Sequence, residues 1–239
     1  MKIGLARLGN SFYNRAPALY GPLFSLYKSI SDRKERALFS SWLKPGDVVL
    51  DIGANIGAYS SFFADLVGPN GKVFAFEPEM RNGARLKRAL RTRPQAEVVN
   101  AAVLDRTGPL KLFISHDLNV DHRTYDTGDN RLSVDVPGVA LDDYLPAGTR
   151  VDAIKLDIQG AELAALRGAQ RVLRDNQRLL VVLEYWPFGI SRAGERPAHV
   201  IEFLQALGFR VSTVEGGAIP SLDSTEFNSY VNLLAIKQP

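Results

Sequence analysis

The chain has 239 residues, 46% hydrophobic and 23% charged, an ordinary globular composition that excludes collagen-like, disordered and coiled-coil chains. Lys and Arg number 29 against 26 Asp and Glu, and the resulting +3 is too small an excess to call for a nucleic-acid partner. There is no Cys, so disulfides, thiolate metal sites and a Cys nucleophile drop out together.

Residues 1–17 carry no sustained apolar run of the kind a secretory signal needs. No window reaches the roughly 18 consecutive apolar residues of a membrane span, so a cytoplasmic protein is expected. Residues 1–40 mix Gly, Pro and aromatics and read as a helical extension, which could cover a pocket of the main domain or mediate a homodimer. Residues 41–239 read as that one domain. Asp32 with Glu35 has the spacing of a capping box, and predicts a helix over 32–43 that ends at Lys44-Pro45-Gly46-Asp47.

The apolar run Val48-Val49-Leu50 then suggests a strand buried on both faces. Helices are expected over 58–67, 78–93, 161–174 and 197–207, with a helical turn at 141–145. Strands are expected over 72–76, 97–103, 111–114, 151–156, 179–183, 209–214 and 230–236. Residues 115–137 show no period, and an unstructured loop that long in a small domain is often functional. The alternation gives an α/β fold: a Rossmann-like, mostly parallel sheet with helices on both faces. One antiparallel strand arises from the final pair, which has no helix between its members. In such folds ligands collect at the carboxyl ends of the strands.

Asp51-Ile52-Gly53-Ala54-Asn55-Ile56-Gly57 follows the first strand and opens a helix. Asn55 stands where a dinucleotide loop has its second Gly, and no Lys-Ser or Lys-Thr follows. The loop therefore suits a nucleoside-bearing ligand with no phosphate to hold. Asp51 could orient the loop or accept from an ammonium group. Glu77 ends the second strand and could accept both hydroxyls of a ribose. Asn100 and Ala101 end the third, where a flat base would fit and Asn100 could read its edge.

These residues resemble the S-adenosylmethionine-dependent methyltransferases of the seven-stranded α/β class. More narrowly, the chain is similar to the FkbM family in four segments: 51–60, Phe76-Glu77-Pro78, Leu141-Asp142-Asp143-Tyr144-Leu145, and 154–162. The family usually carries Glu where this chain has Gln159. The resemblance implies S-adenosylmethionine as cofactor, held by Asp51, Gly53, Ala54, Asn55, Gly57, Tyr59, Ser60, Glu77, Asn100, Ala101 and Asp157. It also implies methyl transfer to a hydroxyl of a small molecule, commonly a sugar or secondary metabolite, without naming the acceptor.

Such an alcohol needs a base or a metal to lower its pKa. Asp157 ends the fourth strand and could be general base, metal ligand or ammonium acceptor. Lys155 alternates with it along the strand and is expected to pair with Asp157 or Glu184. Glu184 ends the fifth strand and is a second base candidate. His122 and His116 lie in the aperiodic loop and could act from a lid. A divalent metal is conceivable there, but no metal ligand set is predicted. The remaining readings are an N-methyltransferase, which needs less base catalysis, and a non-catalytic cofactor-binding module, motivated by Gln159.

Overall fold

The computed structural model describes residues 13, 17–115, 119–126, 128–217, 219 and 230–238. Helices α1 (Pro17–Ser31) and α2 (Arg33–Trp42) lead into β1 (Val48–Ile52), α3 (Ala58–Val67), β2 (Lys72–Phe76) and α4 (Met80–Ala89). Then come β3 (Ala96–Val99), β4 (Ala102–Val103), β5 (Gly108–Ile114), β6 (Leu132–Val139) and the single turn α5 (Leu141–Tyr144). The chain closes with β7 (Ala153–Leu156), α6 (Glu162–Arg167), α7 (Gln170–Asp175), β8 (Leu179–Tyr185), α8 (Pro187–Arg192), α9 (Ala198–Ala206), β9 (Arg210–Thr213) and β10 (Val231–Lys237).

Seven strands form one sheet in the order β3-β2-β1-β7-β8-β10-β9. Neighbours from β3 to β8 are parallel, and β10 runs antiparallel to both β8 and β9, as expected from the sequence. The central strands are apolar because both faces are covered. One face packs Phe39 of α2 and Tyr59, Phe63 and Val67 of α3 against Val49 and Val73. The other packs Leu163 and Leu166 of α6 and Val200 and Leu204 of α9 against Leu50, Ile154 and Val181. Helix α2 runs through residue 40, and its Phe39 is fully buried.

Several elements depart from expectation for identifiable reasons. The capping box at Asp32 does not form. Asp32 makes no cap bond and instead takes the Lys28 ammonium at 2.8 Å, while a Glu35 oxygen accepts from the Asn232 amide. The strand expected over 97–103 is split. Ala101 N–H bonds back to the Val99 carbonyl, and the turn sends β4 into a separate three-stranded sheet, β4-β6-β5. That sheet takes the end of the supposed loop, since β6, which begins at Leu132, pairs with β5 from Gly108↔Gly138 to Ile114↔Leu132. The helix expected over 161–174 breaks in two at Gly168, where a Cβ would fall 1.9 Å from the Leu104 carbonyl oxygen. Asp142 then starts α7 from outside it, accepting from the backbone N–H groups of Arg171 (2.7 Å) and Val172 (3.0 Å). Helix α8, after β8, had no counterpart in the sequence reading.

Among the described residues no helix is long and apolar enough to cross a membrane.

Candidate active site

The carboxyl ends of β1, β2, β7 and β8 open into one cavity of about 800 Å³. The loop after β1 is shaped for close approach. Gly53 (φ +83°) and Gly57 (φ +93°) occupy the left-handed region, and a Cβ on Gly53 would sit 2.0 Å from the Asp157 carbonyl oxygen. Asn55 is also left-handed (φ +51°), its side chain accepting from Ile56 N–H and donating to the Asn119 carbonyl.

Asp51 is fully buried, yet only Oδ2 is engaged, by the Ser60 hydroxyl at 2.5 Å. Its Oδ1 is buried with no partner, and Asp51 lines the cavity. Burial raises its pKa, with the Lys155 ammonium opposing. Glu77 is held by two backbone N–H groups at 2.9 Å, Asn55 on Oε2 and Glu79 on Oε1. Burial still pushes its carboxyl up to about 7. Ala54, Asn55, Tyr59 and Ala101 line the cavity as well.

Three expected contacts stand elsewhere. Asn100 does not line the cavity: its amide donates to the Glu77 carbonyl at 3.3 Å and fills the space over Gly83. Gly57 packs against Leu86 of α4, and Ser60 serves Asp51 from behind.

The far end of the cavity gathers the acids. Asp157 pairs with Lys155 at 3.3 Å, and Lys155 also lies 4.8 Å from the Tyr59 ring centroid. Gln159 adopts a left-handed φ of +57°, and its Nε2 donates to both Asp157 Oδ1 (3.2 Å) and Glu184 Oε2 (2.7 Å). Its carbonyl accepts from the Tyr125 hydroxyl at 2.8 Å. An amide can donate to two acids at once, which an ionised Glu at this position could not do.

The two acids have opposite fates. Burial alone would raise Asp157, but the Lys155 and Lys28 ammonium groups and the Gln159 bond outweigh it and hold its pKa below the ordinary value. Glu184 is raised well above the ordinary value by burial, then by the charges of Asp157 and Glu162. Asp157 is therefore the member that gives up its proton more readily, and Glu184 the one that holds it more tightly. Glu162, at the first turn of α6, is completely buried. One of its oxygens accepts from Ile158 and Gly160 N–H, and burial lifts it to about 7.

His122 lines the same cavity. Its Nδ1 accepts from Ser115 N–H at 3.1 Å, and burial lowers its pKa, so the neutral ring carries its proton on Nε2. The neighbouring charges are tied up with one another: Arg123 and Arg131 both reach Asp121, at 2.7 and 2.8 Å. Among the described residues no cluster of three or more His, Asp or Glu is arranged to hold a metal. His116 lies outside the described residues.

One wall comes from the extension, which the sequence offered as a cover for the pocket or a dimer contact without naming any of its residues as site residues. Tyr20, Leu23, Phe24, Tyr27 and Lys28, all of α1, line the cavity. The available signal was the spacing of Tyr20, Phe24 and Tyr27, which places three aromatics on one helical face.

Residues 51–211 match the methyltransferase FkbM domain. The chain is 30% identical over 156 residues to 2-O-methyltransferase NoeI of Sinorhizobium fredii, a match covering 58% of this chain and 63% of that protein. It is 46% identical over 76 residues to 31-O-demethyl-FK506 methyltransferase FkbM of Streptomyces tacrolimicus, covering 31% of this chain and 29% of the relative. The chain thus spans less than two thirds of either relative. The fold is similar to Aeropyrum pernix fibrillarin, solved with natively bound S-adenosyl-L-methionine. The TM-score is 0.50 at 16% identity, over 85% of this chain and 74% of that one. With a family domain covering more than half its length, laid on the sheet order and strand-end acids described above, the chain belongs to the FkbM methyltransferase family.

Proposed function

We propose that the protein is an S-adenosylmethionine-dependent O-methyltransferase acting on a hydroxyl of a small molecule, a sugar or a secondary metabolite. One observation carries this reading: a buried acid with an unused acceptor, Asp51 Oδ1, shares a cavity with a second acid, Glu77, whose oxygens each take one backbone N–H. Each Glu77 oxygen keeps a lone pair, the number a ribose diol needs, and the Asp51 oxygen suits an ammonium group. The residues present therefore fit that cofactor. When bound, it supplies a methyl group already activated as a sulfonium.

The chain's own tasks are then to align the acceptor and take its proton. An acceptor hydroxyl turns strongly acidic as its oxygen gains the methyl carbon, so an ionised carboxylate suffices even when its basicity is below the ordinary. Asp157 takes that role in this reading. Glu184, which holds its proton more tightly, can donate to the acceptor and fix its orientation. His122 offers an Nε2–H and is a hydrogen-bond donor to the acceptor in this reading. The names of the two curated relatives, a 2-O-methyltransferase and a methyltransferase of a 31-O-demethyl compound, support a hydroxyl over an amine.

Isothermal calorimetry with S-adenosylhomocysteine tests the cofactor. The wild type should bind, and Asp51→Asn and Glu77→Gln should each weaken binding roughly 10- to 100-fold, the worth of a hydrogen bond to a charged group. No binding by the wild type overturns the reading. With an acceptor in hand, Asp157→Asn should keep cofactor affinity and lose turnover by about 100-fold or more. Undiminished turnover would move the proton to another group or indicate an amine.

A further inference from the structure

The acid cluster of the cavity is not enclosed by residues 51–211 alone. Helix α1, which precedes the family domain, supplies the remaining side and brings a cation to it. Lys28 Nζ lies 2.8 Å from Asp32 Oδ2, and the same oxygen accepts from the Tyr59 hydroxyl at 3.1 Å. The ring of Tyr59 carries the Lys155 ammonium, and Lys155 reaches Asp157. An unbroken line of contacts thus joins α1 to the carboxylates.

We propose that Lys28 is a positioning residue for the acceptor site: its ammonium, braced by Asp32, lines the cavity shared with the Asp157–Gln159–Glu184 cluster and supplies that cluster with a second positive charge. This rests on the reading of Asp157 as proton acceptor. The groups that face the two acids are Lys155 from β7, Asp51 from β1, Glu162 from α6, Gln159, and Lys28 with Asp32. Asn232 of β10 stands in register with Glu184 and is bonded to Glu35. Among the described residues of the family domain, Lys155 is paired with this cluster while Arg123, which also lines the cavity, is bound to Asp121, and Lys28 brings a further cation. The coupling is mutual. Burial opposes the charge on Lys28, and Asp157 followed by Asp32 overcomes it, leaving the ammonium more stable than in water. Two cations can hold one carboxylate ionised while its neighbour keeps a proton, the arrangement an acid–base pair requires.

The test needs neither cofactor nor acceptor. Side-chain carboxyl ¹³C titration by NMR on the whole chain, with Asp157 assigned through Asp157→Asn, reads the effect directly. Lys28→Met should raise the Asp157 midpoint by about one pH unit or more, the usual influence of a nearby opposite charge. Lys28→Arg should return it to the wild-type position. Should Lys28→Met fail to fold, Lys28→Gln keeps a donor for Asp32 and gives the same reading. A folded Lys28→Met or Lys28→Gln protein with an unmoved Asp157 midpoint overturns the proposal. Calorimetry with S-adenosylhomocysteine on the same proteins separates this failure from that of the cofactor reading, because Lys28→Met should leave that affinity within a few-fold of wild type.

Discussion

Gln159 holds a left-handed backbone that costs a non-glycine residue on the order of 1 kcal/mol, and it holds it while bridging two acids. The gain lies in the amide: one NH₂ donates to both Asp157 and Glu184, while the Tyr125 hydroxyl is held by the backbone carbonyl of the same residue. A carboxylate at this position would place a third acid beside Asp157 and Glu184 and leave both without their donor. Gln159→Glu should therefore destabilise the protein by about 1–3 kcal/mol at pH 8, as for a buried polar group stripped of its partner. The penalty should shrink toward pH 5, where the added acid can take up a proton. Thermal unfolding of both proteins at the two pH values checks this, and a pH-independent difference would argue against the bridge. The same residue marks how differently parts of the site reveal themselves. The glycine loop is legible in the sequence because its requirements are local: positive φ at Gly53 and Gly57, and an acid one residue past a buried run. The bridge made by Gln159 was not, because its two partners lie on different strands.

The join between α6 and α7 shows why a continuous helical pattern can be cut. Ala161 to Arg174 reads as one amphipathic helix, but Gly168 is pressed on the Leu104 carbonyl, and Asp142 of the α5 turn caps the second piece. Gly168→Ala would favour a single helix by intrinsic propensity and is blocked by backbone 1.9 Å away. Overpacking against backbone should cost about 3 kcal/mol, or roughly 6–12 °C in Tm for a chain of this size. Gly21→Ala, in α1 with nothing within 4 Å of the new Cβ, is the matched control and should be neutral or slightly stabilising. Equal Tm changes in the two variants would refute this account of the break. Strands β1 and β8, with the apolar runs Val48–Leu50 and Leu179–Leu183, were legible because parallel strands buried on both faces need them. Strand β6 was not. Its first four residues are exposed, so no hydrophobic period marks it. The residues by which helix α1 joins the site were not legible, although the extension could be expected to cover the pocket, because their partners lie far along the chain: Tyr20 is bonded to Asn119, and Lys28 lines the same cavity as Asp157.

At the scale of the whole molecule, folding encloses acids that water would keep ionised, and this couples stability to pH in a definite sense. Glu162 is completely buried and lifted to about 7, by burial first and by the Asp157 charge after the backbone bonds that oppose it. Its unfolded value is near the ordinary 4.5, so between about pH 4.5 and 7 the folded chain holds a proton that the unfolded chain has lost. Where the folded state binds more protons, stability falls as pH rises. The stability that Glu162 contributes at low pH is thus lost through this window and absent above it. Glu162→Gln keeps the oxygen that accepts from Ile158 and Gly160 N–H and cannot ionise. The two proteins should be similarly stable near pH 4.5. By pH 8 the variant should be the more stable by up to about 3 kcal/mol, from 1.36 kcal/mol per pKa unit. Glu77, also lifted to about 7, titrates alike in both proteins and drops out of the difference. Urea unfolding of each protein across pH 4.5 to 8 measures that difference directly. A gap that stays constant with pH, or that opens toward acid, would mean that Glu162 is ionised in the fold and adds one more negative charge to the carboxylate cluster.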